Sequence, residues 1–296
     1  MTDARREPRP EWLRIQIRTD ESFQQLRSMV SELRLNTVCQ EARCPNIYEC
    51  WNAGTATFMI LGDTCTRYCG FCNVNSGKPK PGVDREEPAH VAEAVARLGL
   101  KHAVITSVDR DDLPDGGARH FADVVGAIRG RIPSCAVEVL TPDFKRKTGA
   151  LDVVLDATPS VFAHNVETVP RLYTAARPGS NYLGSVGLLA QAAARRDRER
   201  SALRVKTSII AGLGEADAEI LDVMRDLRQA GVDVVTVGQY LQPTAKHLPV
   251  ARWVHPSAFA DYKEAGLAMG FLHVESGPLV RSSYHAERHR PDPQPR

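Results

Sequence analysis

Residues 57–74 read TFMILGDTCTRYCGFCNV. TFMIL is a strand-sized apolar run, and a polar loop holding Cys65, Cys69 and Cys72 follows it directly. Working outward, similar runs recur at 102–108 (HAVITSV), 135–140 (CAVEVL), 160–166 (SVFAHNV), 204–212 (RVKTSIIAG) and 232–238 (VDVVTVG), with FLHVE at 271–275 as an outlying seventh candidate. Between them, EPAHVAEAVARLG, HFADVVGAIRG and EADAEILDVMRDLRQAG carry apolar residues three and four apart and end near glycine, the pattern of helices packed on a sheet. Alternating strands and helices predict an α/β fold, and six such units predict a partial (β/α)6 barrel of the TIM type, open rather than closed. Loops leaving the C-terminal ends of barrel strands carry the chemistry, which is where the three cysteines fall.

The barrel is expected over 56–276, with an N-terminal extension at 1–55 and a C-terminal extension at 277–296. In the first, ESFQQLRSMVSELRL sets Phe23, Leu26, Val30 and Leu33 on one helical stripe. The second ends in AERHRPDPQPR, a Pro-rich polar tail expected to stay disordered.

Lys and Arg number 38 against 36 Asp and Glu over 296 residues, a net charge of +2 that provides no field for nucleic acid or an anionic membrane. No apolar run approaches the roughly 20 residues of a membrane span, and MTDARREPRPEWLR lacks a signal-peptide core. A cytosolic protein is expected. Its seven cysteines, an odd number, argue for metal chemistry over a disulfide framework. Six lie between Cys39 and Cys72, while Cys135 sits in an apolar run and reads as a buried structural thiol.

Cys65, Cys69 and Cys72 are spaced C-x3-C-x2-C. Three thiolates from one tight loop can hold three irons of a four-iron, four-sulfur cluster and leave the fourth open to substrate. A structural zinc site would want a fourth ligand and the commoner C-x2-C knuckle. Cys39, Cys44 and Cys50 follow C-x4-C-x5-C; one helix would not gather them on a face, so this stretch reads as a loop around a second cluster.

The first triad, with Phe71 before its last cysteine, resembles the signature of the radical S-adenosylmethionine superfamily. With VCQEARCPNIYECW, TSVDRDDLPDGGA, VGQYLQPTAKHLPV and SGPLVRSSYHA added, the chain resembles the lipoyl synthase family from about residue 8 to residue 286. The resemblance implies two 4Fe-4S clusters and S-adenosylmethionine, cleaved to methionine and a 5′-deoxyadenosyl radical at the cluster of Cys65, Cys69 and Cys72. It implies an auxiliary cluster on Cys39, Cys44, Cys50 and the oxygen of Ser283, spent as the source of two sulfurs for C6 and C8 of a protein-bound octanoyl-lysine. The partners it implies are an octanoylated lipoyl carrier domain or H-type carrier protein, a flavodoxin or ferredoxin as electron donor, and an iron–sulfur carrier that rebuilds the spent cluster. A monomer is expected.

Phe71, Ser107, Asn165, Glu167 and Arg177 are candidate cofactor-binding residues, at or beside strand ends. Thr106, Asp109 and Gln239 stand at similar ends, and Gly116 and Gly117 would let backbone approach a ligand. His164 reads as structural. Asn36, Gln40, Tyr48, Thr207 and Ser208 depart from the family's usual residues, which bears on efficiency and partner choice and would suit a second, divergent copy of the enzyme. Two rivals are a methylthiotransferase-like two-cluster enzyme and a metal-binding regulator of nucleic acid; near-neutral charge and the βα pattern weigh against the latter.

Overall fold

The computed structural model describes residues 8–15, 17–52 and 56–291. Its main sheet runs through β1 (Asn36–Thr37), β2 (Thr57–Ile60), β5 (His102–Ser107), β6 (Ala136–Leu140), β7 (Val161–Ala163), β8 (Arg204–Ala211), β9 (Val234–Gln239) and β10 (His273–Gly277), in that spatial order. A separate small ladder joins β3 (Thr64–Cys65) to β4 (Asn75–Ser76). The helices are α1 (Glu21–Glu32), α2 (Val38–Glu41), α3 (Ile47–Asn52), α4 (Glu87–Arg97), α5 (Ala118–Arg131), α6 (Ala150–Asp156), α7 (Tyr173–Ala176), α8 (Tyr182–Glu199), α9 (Asp217–Gln229) and α10 (Pro256–Ala268).

From β2 to β10 every neighbouring pair is parallel, and the order does not close on itself, so the open barrel holds. The outlying seventh candidate is a full member: β10 pairs with β9 over five residues. The strands are buried on both faces, which is why they read as continuous apolar runs. On the outside, α4 turns Val91, Ala94 and Val95 inward and α9 turns Ile220, Val223, Met224 and Leu227 inward.

Both extensions pack onto this frame. Asp20 caps α1 by accepting from the Phe23 N–H, and Phe23, Leu26, Met29 and Val30 are buried. Phe23 stacks on Tyr48 at 5.6 Å and meets Trp51 at 5.1 Å, so α1 clamps α3. β1 adds antiparallel to the edge strand, Asn36 facing Met59 and Thr37 facing Phe58. At the other end the expectation of disorder is corrected for residues 286–291: Ala286 and His289 are buried, the 3-10 turn Ala286–Arg288 packing on β5 and the His289 ring lying beside His273 of β10. Residues 292–296 of the expected tail lie outside the described residues.

Inside the barrel Lys206 Nζ and Glu138 Oε1 are 2.7 Å apart, both side chains 1% exposed, with His102 Nε2 3.4 Å from Glu138 Oε2. Burial pushes the Glu138 carboxyl up, but the Lys206 ammonium outweighs it and holds the group below the ordinary carboxylate range. Removing one partner strands the other charge, so Glu138→Ala is expected to lower the unfolding free energy by about 3–5 kcal/mol in chemical denaturation. Because the folded pKa is depressed, the pair's contribution is complete above the unfolded carboxylate pKa and is lost as pH falls below it. Glu138→Gln should therefore show a flatter acid limb of stability against pH than the parent; an identical limb would contradict the pairing.

Candidate active site

The loop after β2 is held by backbone and charge. Thr66 N–H donates to Asp109 O, Gly77 N–H to Cys65 O, and Gly70 N–H to Ala176 O. Leu248 N–H donates back to Gly70 O, and the His247 ring bonds Cys72 O at 2.9 Å. Gly70 is required sterically: a Cβ there would stand 2.9 Å from both Ala175 O and Leu248 Cγ. Arg67, between the first two cysteines, is 5% exposed. Its guanidinium forks onto Asp111 (2.9 and 2.9 Å) and Asp143 (2.9 and 2.6 Å) and donates to Ser180 Oγ. Burial opposes the Asp143 charge, yet Arg67 holds that carboxyl well below its ordinary range.

Sequence reading passed over Arg67, Asp111 and Asp143; the signal was an arginine inside the cysteine loop and an acid-rich TSVDRDD. With Asp109 so close, the backbone N–H groups of Arg67 and Asp109 both donate to Cys65 Sγ, at 3.4 and 3.3 Å. The Asp109 carboxyl itself is raised by burial, Arg67 notwithstanding.

A cavity of about 220 Å³ opens on this loop, lined by Cys65, Cys69, Cys72 and Phe71 and by Ser107, Asn165, Glu167 and Arg177 from the ends of β5 and β7 and beyond. Ser107 Oγ and Asn165 Oδ1 are buried there with no hydrogen-bond partner, while Asp109 Oδ1 has the Arg67 guanidinium at 3.4 Å, so the chain alone leaves polar capacity unmet. Glu167 holds a left-handed φ of 67°, fixed where its N–H donates to Ser208 O and its C=O accepts from Ile210 N–H. Burial raises its carboxyl pKa. Arg177 braces the turn by donating to Asn165 O at 2.6 Å.

Other candidates take structural roles. His164 bonds Thr141 O and Ser185 Oγ and is kept neutral by burial, its pKa lowered to about 3. Gln239 braces Arg252 O and the Val254 N–H. Gly116 and Gly117 hold positive φ in tight turns against Phe144 and Leu61 and line neither of the cavities beside the cysteine loop.

The segment 36–52 is not the expected loop. Cys39 lies in α2 and Cys50 in α3, with Cys44 at the turn between them, so two short helices rather than one carry the triad. The C-terminal segment lies against it: Asn46 Nδ2 donates to Leu279 O, and Tyr284 OH donates to Glu49 Oε1. Thr57 Oγ1 donates to Ser283 Oγ at 2.9 Å, and the Thr57 backbone also bonds Cys39. A second cavity, of about 380 Å³, shares Ala42, Phe71, Cys72, Asn165, Glu167 and Ser282 with the first, so the two adjoin. Ser282, not Ser283, lines both.

The thiols fit iron. Burial pushes Cys39 and Cys65 up to about 11 and Cys50 and Cys69 to about 12, and raises Cys44 and Cys72, so each proton sits where a metal would relieve the cost of a buried thiolate. A single tetrahedral zinc would bring sulfurs to about 3.8 Å. Among the described residues neither triad belongs to a group whose donor atoms all lie within 4.8 Å of one another, so neither is set for a single tetrahedral ion.

The family model for the Radical SAM superfamily matches residues 59–243, and that for the N-terminal domain of lipoyl synthase matches residues 2–44. Lipoyl synthase of Rubrobacter xylanophilus is 54% identical over 97% of this chain and 88% of its own length; that of Thermus thermophilus is 53% identical over 97% and 90%. The chain belongs to the lipoyl synthase family. Family membership brings two 4Fe-4S clusters and S-adenosylmethionine with it. Among solved structures, methylornithine synthase (PylB) superposes with a TM-score of 0.53 at 15% identity over 74% of this chain and 70% of that one. HydG, a maturase of [FeFe]-hydrogenase, gives 0.51 at 14% over 79% and 58%. These two show the shared barrel alone.

Arg67→Lys keeps the charge but loses both forks. It should weaken cluster retention by roughly 10- to 100-fold, read as iron per chain and iron–sulfur absorbance during anaerobic chelator challenge. Gly70→Ala should show the same loss with a stability cost of about 1–3 kcal/mol; unchanged iron in both variants would refute this account of the loop.

Proposed function

We propose that the chain converts an octanoyl group, amide-linked to a lysine of a lipoyl carrier domain or H-type carrier protein, into a lipoyl group by inserting sulfur at C6 and C8. The observation that carries this reading is the meeting of two cysteine segments and the RSSY element around two adjoining cavities at the barrel's mouth. When bound, the cluster on Cys65, Cys69 and Cys72 supplies the electron that cleaves S-adenosylmethionine to a 5′-deoxyadenosyl radical, and the cluster on Cys39, Cys44, Cys50 and Ser283 supplies sulfur.

The chain's own residues bind, orient and exclude water. Ser107 and Asn165 offer their unpaired oxygens to the cofactor, Glu167 its carboxyl, Arg177 its positive charge from behind, and Phe71 a wall beside the iron. Met59, Val108 and Leu140 give the first cavity an apolar side, against which each methylene of an acyl chain gains about 0.8 kcal/mol. A serine hydroxyl is a harder donor than thiolate, which suits an iron bond that has to open. Residues 1–55 and 277–296 thus serve the sulfur donor and 56–276 the radical. Flavodoxin or ferredoxin as reductant, an iron–sulfur carrier, a monomeric state and a cytosolic location complete the proposal; among the described residues no helix is long and apolar enough to cross a membrane.

Anaerobic incubation with S-adenosylmethionine, reductant and an octanoyl-lysine peptide, followed by mass spectrometry, should yield the lipoyl peptide. Deoxyadenosine without modified peptide would remove the assignment. Ser283→Ala should abolish sulfur insertion while sparing deoxyadenosine; equal loss of both would contradict its role. Asn165→Ala should weaken cofactor binding about tenfold, the ~1.4 kcal/mol of one buried hydrogen bond.

A further inference from the structure

At the barrel end opposite the cysteine loop, β10 and the C-terminal segment bring three metal-ligating side chains together. His273 and Glu275 stand two apart on one strand and so share a face, with His273 Nε2 3.3 Å from Glu275 Oε2. His289, just past the 3-10 turn Ala286–Arg288, lays its ring beside His273 at a centroid distance of 4.5 Å. One donor atom from each of the three lies within 4.8 Å of the other two.

His289 is the anomaly. It is 2% exposed, yet neither ring nitrogen has a hydrogen-bond partner. Leaving a buried polar nitrogen unpaired costs about 1–3 kcal/mol, so the group calls for a ligand. Nearby, Lys206 is paired with Glu138 at 2.7 Å, and Glu275 supplies the one carboxylate of the three.

We propose that His273, Glu275 and His289 form a site for a divalent first-row cation such as zinc, which clamps the C-terminal segment to the last barrel strand. Two imidazoles and one carboxylate suit zinc, whereas magnesium and calcium want oxygen donors alone. Tetrahedral bonds of about 2.0–2.1 Å put donors roughly 3.3 Å apart, the separation His273 Nε2 and Glu275 Oε2 already have, and the His289 donor lies within 4.8 Å of the other two. The fourth position would fall to water, since His273 keeps 31% of its side chain exposed. The site is separate from both cysteine triads and does not depend on the reaction proposed above.

The test is equilibrium dialysis of the anaerobic protein, both clusters loaded, against zinc, with zinc and iron counted per chain. The expected result is one bound zinc with no iron lost, retained in a His90→Ala control and weakened by roughly 10- to 100-fold or more in His289→Ala and Glu275→Gln. Because truncating buried His289 also removes packing, Glu275→Gln, which keeps the side chain's shape at a partly exposed position, decides the case if the first variant does not fold. Absence of zinc, zinc that displaces iron, or an unchanged affinity in Glu275→Gln would overturn the proposal.

Discussion

One buried guanidinium holds the reactive end of this molecule together. Arg67 sits inside the cysteine loop yet spends its donors on Asp111 and Asp143, residues of the loops after β5 and β6. Burying that charge is costly, and only forked geometry on two carboxylates repays it. The consequence is positional. The loop is seated across the strand ends, Asp109 is drawn beside Cys65, and two backbone N–H groups point at one sulfur before any metal arrives.

Among the described residues the second cysteine segment has no such ionic anchor and relies on chain connectivity and packing. β1 ties it to the barrel's edge strand, the Phe23–Tyr48–Trp51 cluster holds α3 against α1, and the C-terminal segment closes over it through Asn46, Thr57 and Glu49. The two extensions, more than 220 residues apart in sequence, therefore depend on each other. Thr57 is the hinge of this arrangement, since its hydroxyl meets Ser283 while its backbone meets Cys39.

Much of the barrel was legible because parallel strands buried on both faces leave unbroken apolar runs, and the strand ends follow from them. Both cysteine triads stood out by spacing, and the C-terminal serine by resemblance alone, since nothing in SSYH separates a metal-site element from a turn. Three things were not legible. The folding of Cys39 to Cys50 into two short helices rests on tertiary support that such helices lack by themselves. The Arg67 network joins residues 44 and 76 positions apart, beyond any local pattern. The burial of His289 was hidden by a polar, Pro-rich composition that argued for disorder; the packing of its segment against β5 and β10, invisible in sequence, made room for it.

The central claim is that one chain houses both the radical generator and the sulfur it installs, the latter at Cys39, Cys44, Cys50 and Ser283. The direct measurement is a single-turnover reaction with protein whose clusters were rebuilt from heavy-isotope sulfide, in buffer holding only light sulfur. The account predicts a lipoyl product carrying two heavy sulfur atoms. A product with light sulfur at either position would contradict it.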